Sequence, residues 1–367
     1  MPTESLRART ALCALLGIEH PILQSGMRGI AGPQLVAEVS ERGGLGILAG
    51  LLLSPEALRA QIAEVRAHTR KPFGVNLWLH PTLQPPARPS AIPSDALERA
   101  QAELNKIRAL LQLPVKSEPP AEVADTIDAA FDVIVEERVP VFSVGLGDPG
   151  RERTARCRAA GIQVIAMATS VAEAKLLEAA RVDAIVAQGS EAGGHRSSWL
   201  DDGAADGSVG TMTLVPQVVD AVRVPVIAAG GIADGRGLVA ALALGAQAIM
   251  LGTRFVACRE SLAPEFFKRA VVERNSESTL ITRVYSGLPA RGLRNRFSDE
   301  YEASGAPVLP PLLHTNAAAD IYAAALARGD GEHYPMLAGQ AVGLIRDLPR
   351  AADIVDAIVR EARAVRV

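Results

Sequence analysis

Apolar residues gather along this chain in short continuous runs, each ending in glycine or a polar turn. They lie at Pro21–Met27, Leu45–Ala49, Phe73–Leu79, Val139–Gly145, Gln163–Ala168, Ala184–Gln188, Val226–Ala229 and Ala248–Leu251. Runs of this length without polar alternation predict strands covered on both faces. Helical patterns separate them, at Pro33–Arg42, Pro55–Ala67, Pro149–Ala159, Val171–Arg181, Leu214–Val222 and Gly235–Leu244. Pro33, Pro55 and Pro149 fall in first turns, where a missing N–H costs nothing. A doubly wound sheet alternates in the same way. Eight units in roughly 255 residues, with glycine turns after the last two strands, favour a closed (β/α)8 or TIM barrel, whose typical length is about 250.

Two stretches break the rhythm. Pro81 to Pro93 is Pro-rich, Asp95 to Leu111 reads as an amphipathic helix with Ser94 as its cap, and a second helix is expected from about Ala121 to Glu137. This excursion leaves the C-terminal end of the third strand, the face where barrel active sites lie, and is expected to cover the pocket as a lid. The chain thus divides into a barrel (1–80 and 138–270), a helical insertion (81–137) and a C-terminal helical extension (271–367). Thr10 to Gly17 reads as a first helix leading into strand one rather than a signal segment.

Composition narrows the function classes. The chain is 49% hydrophobic and 4% aromatic, so its core is aliphatic, and its net charge of −3 gives no basic footprint for nucleic acid or an anionic membrane. No apolar stretch approaches the ~20 residues of a membrane span, and a cytoplasmic protein is expected. Cys13, Cys157 and Cys258 have no paired spacing. The histidines form no HExxH or similar arrangement, so no metal site is expected.

The chemistry concentrates where Asp183-Ala-Ile-Val-Ala-Gln-Gly-Ser-Glu-Ala-Gly-Gly-His195 ends a strand. Gln188 and Ser190 offer hydrogen bonds to a planar polar ligand. Gly193 and Gly194 let backbone approach it closely, and His195 brings an imidazole that titrates near neutrality. Gly230-Gly231 and Gly252-Thr253 end the last two strands, and backbone N–H groups in such neighbouring turns make a phosphate cradle. Gly145-Leu-Gly-Asp-Pro-Gly150 fits G-x-G-x-x-G, but the next strand carries no terminal acid and Pro149 stiffens the turn, so a nicotinamide-binding fold is not indicated.

These motifs, together with Pro21-Ile-Leu-Gln-Ser-Gly-Met27, Gly43-Gly-Leu-Gly46, Phe73-Gly-Val-Asn76, Leu251-Gly-Thr253 and Ala338-Gly-Gln340, make the chain resemble the nitronate monooxygenases, formerly called 2-nitropropane dioxygenases. The resemblance runs over nearly the whole length and implies a TIM-barrel FMN enzyme. It further implies that Gly26 and Met27 contact the flavin ring, that Asn76 and Gln188 hydrogen-bond it, and that Gly193 and Gly194 pass beside it. Gly230, Gly231 and Met250-Leu251-Gly252-Thr253 would hold the phosphate, and His195 would be the catalytic base. The implied reaction converts nitronates or nitroalkanes with O2 to carbonyl compounds and nitrite. The same motifs occur in flavin-type enoyl-acyl-carrier-protein reductases and NADH:quinone reductases, so the alternative is an NAD(P)H-dependent reductase. Many relatives have Ala-Pro-Met where this chain has Ser25-Gly26-Met27, which alters the wall beside the flavin.

Overall fold

In the computed structural model, which describes residues 10–200 and 208–365, the eight apolar runs form one parallel sheet. The strands are β1 (Ile22–Gln24), β2 (Gly46–Ala49), β3 (Phe73–Leu79), β4 (Val141–Gly147), β5 (Gln163–Ala168), β6 (Ala184–Gln188), β7 (Val226–Ala229) and β8 (Ala248–Leu251). Seven contacts are ladders, and β1 meets β2 through one parallel bridge, Leu23 with Leu45. Gln24, wholly buried, completes that seam. Its Oε1 accepts from Ile47 N–H at 3.1 Å and its Nε2 donates to Ile47 O at 3.2 Å, standing in for the missing ladder bonds. The sheet is a closed (β/α)8 barrel, as the alternating pattern predicts.

The barrel interior is aliphatic. Leu23, Ile47, Val141, Ile165, Val186, Ile227 and Ala248 form one buried cluster with Leu12, Cys13 and Leu16 of the helix Ala11–Leu16. That helix runs from Thr10, which caps it, to Gly17 in the left-handed region. Leu12 N–H donates to Gln247 Oε1 just ahead of β8, so the helix plugs the N-terminal end of the barrel. The site therefore lies at the other end.

The outer ring differs from the expected partition in two places. Of the proposed helix at 121–137 only Ile127–Glu136 is helical, and it packs on β3 and on Pro55–His68 as the barrel's third ring helix. The last helix, Ala351–Ala364, packs between Gly235–Ala243 and Pro33–Glu41. Its Ala351, Ile354, Val355, Ile358 and Ala362 join the main barrel core. It fills the ring position that follows β8, so the segment between residue 257 and residue 350 is a second excursion rather than a simple tail.

The two excursions share a core of their own. Ala100, Leu104 and Ile107 of the helix Ser94–Leu110 pack with Phe297, Tyr301, Ile321 and Tyr322. The wholly buried Arg108 guanidinium donates to Asp320 at 2.9 and 3.2 Å, to Gln101 and to Ala317 O. Smaller corrections concern helix starts. Ser94 is the first helical residue and Pro93 the cap, Pro149 stands one residue outside its helix, and the helix expected at Leu214 begins at Thr211. Among the described residues no helix is long and apolar enough to cross a membrane.

Candidate active site

His195 is held by backbone before it is held by its ring. Gly194, at φ +80°, turns the chain so that Gly194–His195 pairs antiparallel with Ala290 and Arg291 of the strand Ala290–Leu293. Gln188, at the end of β6, clamps this loop, donating to His195 O at 3.1 Å and accepting from Ser197 N–H at 2.9 Å. Arg196 donates to the carbonyls of Gln188 and Gly189 at 3.0 and 2.9 Å. The imidazole then meets Ser286 Oγ at 2.7 Å through Nε2, and packs at 4.5 Å, near edge-on, against the Trp78 ring. With Nε2 engaged, Nδ1 is the nitrogen left for chemistry. The residue is half-buried. Burial first, and the Arg28 charge second, push its pKa down to about 3, so the imidazole is neutral across the physiological range.

Asn76 sits on β3 beneath the mouth and donates to Ser143 Oγ on β4 at 3.1 Å. Two glycines around it are there for space: a Cβ at Gly26 would lie 2.6 Å from the Asn76 side chain, and one at Gly145 2.8 Å. Gly145 and Gly147 of the G-x-G-x-x-G stretch thus have a sheet role. Gly147, at φ +96°, presses on the Leu79 carbonyl, where a Cβ would lie 2.4 Å away.

The glycine turns after β7 and β8 come together at one pocket. Gly230 and Gly231 are both left-handed, at φ +107° and +70°, a pair that other residues rarely adopt. The pocket is lined by Ser25, Gln188, Gly193, Gly230, Gly231, Met250, Leu251, Gly252 and Thr253. Among the described residues the N–H groups of Gly231, Gly252 and Thr253 find no acceptor in the protein. Thr253 Oγ1 accepts from Gly339 N–H at 2.9 Å, leaving its hydrogen to donate. Unpaired donors around left-handed glycines fit a phosphate monoester, and hydrogen-bonding side chains one strand away fit a flavin ring.

Gly193 has a role that its sequence position does not show. A Cβ there would lie 2.3 Å from Gly339 N and 2.5 Å from the Ala338 carbonyl carbon, so its missing side chain makes room for the chain's own tail. Ser190 is not among the lining residues, and its backbone serves Val209 and Arg291; of the expected site residues, Gly26, Met27, Asn76, Gly194 and His195 also lie outside the lining of that pocket. Glu191 does line it, accepting from Thr211 N–H and Oγ1 at 2.9 Å and packing against Gly231. Trp78, Ser286, Glu191 and Gly339 went unread in the sequence because each acquires its role from a partner remote in the chain. Only the Ala338-Gly-Gln340 motif hinted at the tail.

The comparisons agree with this architecture. The family model described as nitronate monooxygenase matches residues 9–361. The nitronate monooxygenase of Pseudomonas aeruginosa is 40% identical over 358 residues, covering 95% of this chain and 98% of that protein. A probable nitronate monooxygenase of Staphylococcus aureus is 37% identical over 359 residues, covering 97% and 98%. Among solved structures, the nitroalkane oxidase from Streptomyces ansochromogenes superposes with a TM-score of 0.86 at 37% identity, covering 97% of this chain and 99% of that one. FabK from Thermotoga maritima gives 0.75 at 34% identity, covering 97% of each. This is a TIM-barrel oxidoreductase of a flavin-dependent class. Within it, the chain belongs to the nitronate monooxygenase family.

Proposed function

We propose that this enzyme uses FMN and O2 to convert alkyl nitronates, and nitroalkanes that it deprotonates, into carbonyl compounds and nitrite. The observation that carries the reading is the pairing of a phosphate cradle with a neutral, oriented imidazole. Gly230, Gly231, Gly252 and Thr253 would hold the phosphate, and Asn76, Gln188, Gly26 and Met27 would border the ring. FMN, when bound, supplies the redox chemistry. His195 Nδ1 takes the α-proton of a neutral nitroalkane, while Ser286 and Trp78 fix the ring that receives it. The anion formed beside it raises the imidazole's low pKa, because opposite charge favours the protonated form. A preformed nitronate needs no such step. The relatives named nitronate monooxygenase and nitroalkane oxidase support this chemistry over the reductase alternative.

The insertion is read as fixed rather than hinged, because Arg108 ties it to the second excursion, which supplies Ser286. Three buried free thiols fit a cytoplasmic setting. The deciding experiment is anaerobic mixing of purified holoprotein. Bleaching of the flavin by ethyl nitronate and not by NADH supports the reading, bleaching by NADH alone overturns it, and heat-released flavin should be FMN.

A further inference from the structure

We infer that Arg28 is the residue through which this pocket recognises a planar two-oxygen anion, the head group shared by an alkyl nitronate and a carboxylate. The inference rests on the reading of the site as a nitronate-oxidising centre. Arg28 follows Met27 in the turn that leaves β1. Ile30 and Ala31 N–H both return to Met27 O, at 3.0 and 2.8 Å, and Gly29 at φ +72° completes the reversal. The neighbours on both sides are anchored, since Met27 and Ile30 pack in one cluster with Tyr334 and Phe266. Met27 also lies against Gly252 of the cradle. The guanidinium is therefore carried at the barrel mouth on a fixed turn.

Its donors are unspent. Arg196 gives its hydrogens to the Gln188 and Gly189 carbonyls, and Arg291 to Ser190 O and Thr279 Oγ1. Arg28 is exposed, and among the described residues it makes no hydrogen bond and no ion pair. Its charge acts on both Tyr334 and His195, lowering the pKa of each. A neutral His195 brings no charge to an anionic substrate. The guanidinium brings both charge and a planar fork whose two N–H groups match two oxygens.

The test uses the holoenzyme with Arg28→Met and Arg28→Lys. Steady-state turnover is followed on ethyl nitronate and nitroethane, and propionate is titrated as a dead-end ligand through the flavin absorbance. Losing a charge-assisted bond predicts a roughly 10–100-fold rise in KM for the nitronate in Arg28→Met, with kcat falling less than about three-fold. The rise for neutral nitroethane should be smaller. Arg28→Lys should recover part of the loss, since an ammonium keeps the charge and lacks the fork. A propionate Kd that rises in parallel supports recognition of the shared head group, and a rise confined to one of the two ligands overturns it. Nitronate KM and propionate Kd both within about two-fold of wild type overturn the inference, as do equal losses on nitronate and nitroethane. Should the wild type turn over neither substrate, the proposed function falls, while the propionate titration still decides Arg28.

Discussion

Replacing His195 with asparagine keeps a hydrogen bond within reach of Ser286, whose Oγ lies 2.7 Å from the imidazole Nε2, but removes the group that accepts a proton. The fold should hold, because the loop is fixed by Gln188, Arg196 and the pairing with Ala290, all independent of the ring. General-base catalysis contributes about 10²–10⁴-fold, so turnover of nitroethane should fall by that much, or roughly 3–5 kcal/mol of barrier. Turnover of ethyl nitronate should fall clearly less. The pH profile adds a second reading. The base works in its neutral form, and burial with Arg28 lowers its pKa to about 3, so kcat/KM of the wild type for nitroethane should stay flat from pH 7 down to 5. The assay is nitrite release with the flavin content checked in each variant. Equal losses on both substrates would refute proton abstraction, and an acid limb centred on the ordinary imidazole value would refute the buried, neutral base.

Other outcomes test the surrounding structure. Gly193→Ala places a Cβ 2.3 Å from Gly339 N, a backbone atom that cannot yield, so thermal stability and flavin retention should both fall. Gly252→Leu, whose Cβ would make only ordinary contacts with Met27 Sδ at 3.6 Å and Ser25 Cβ at 4.0 Å, should lower FMN affinity while the apoprotein keeps its melting temperature. Gln24→Met strands the N–H and C=O of Ile47 in the β1–β2 seam and should cost about 2–6 kcal/mol in denaturant unfolding. His314, wholly buried with its pKa pushed down to about 4, stays neutral in the fold while the unfolded chain protonates below 6.5. Its stability contribution is complete above pH 6.5 and drains away as pH falls toward 4, so His314→Phe should recover about 2 kcal/mol of the wild-type loss between pH 7 and 5.

Strand and helix order, the closed barrel, the glycine turns after the last two strands and the histidine beyond the end of the sixth strand were all legible along the chain. Each depends on local spacing: continuous apolar runs need cover on both faces, and left-handed turns need glycine. Distance along the chain hid the rest. Ala351–Ala364 reads as any amphipathic helix, and only the gap between Gly235–Ala243 and Pro33–Glu41 makes it the last member of the ring. Gly193 does line the pocket, but that its missing side chain also makes room for the tail glycine Gly339 could not be read from its position. Arg28 is one of many arginines in the sequence. Its charge acts on His195, and its donors are free, because the barrel brings the first and sixth strand ends to one mouth. Local chemistry is written residue by residue, whereas which groups share a pocket, and which stay unpaired there, is decided by closure of the sheet.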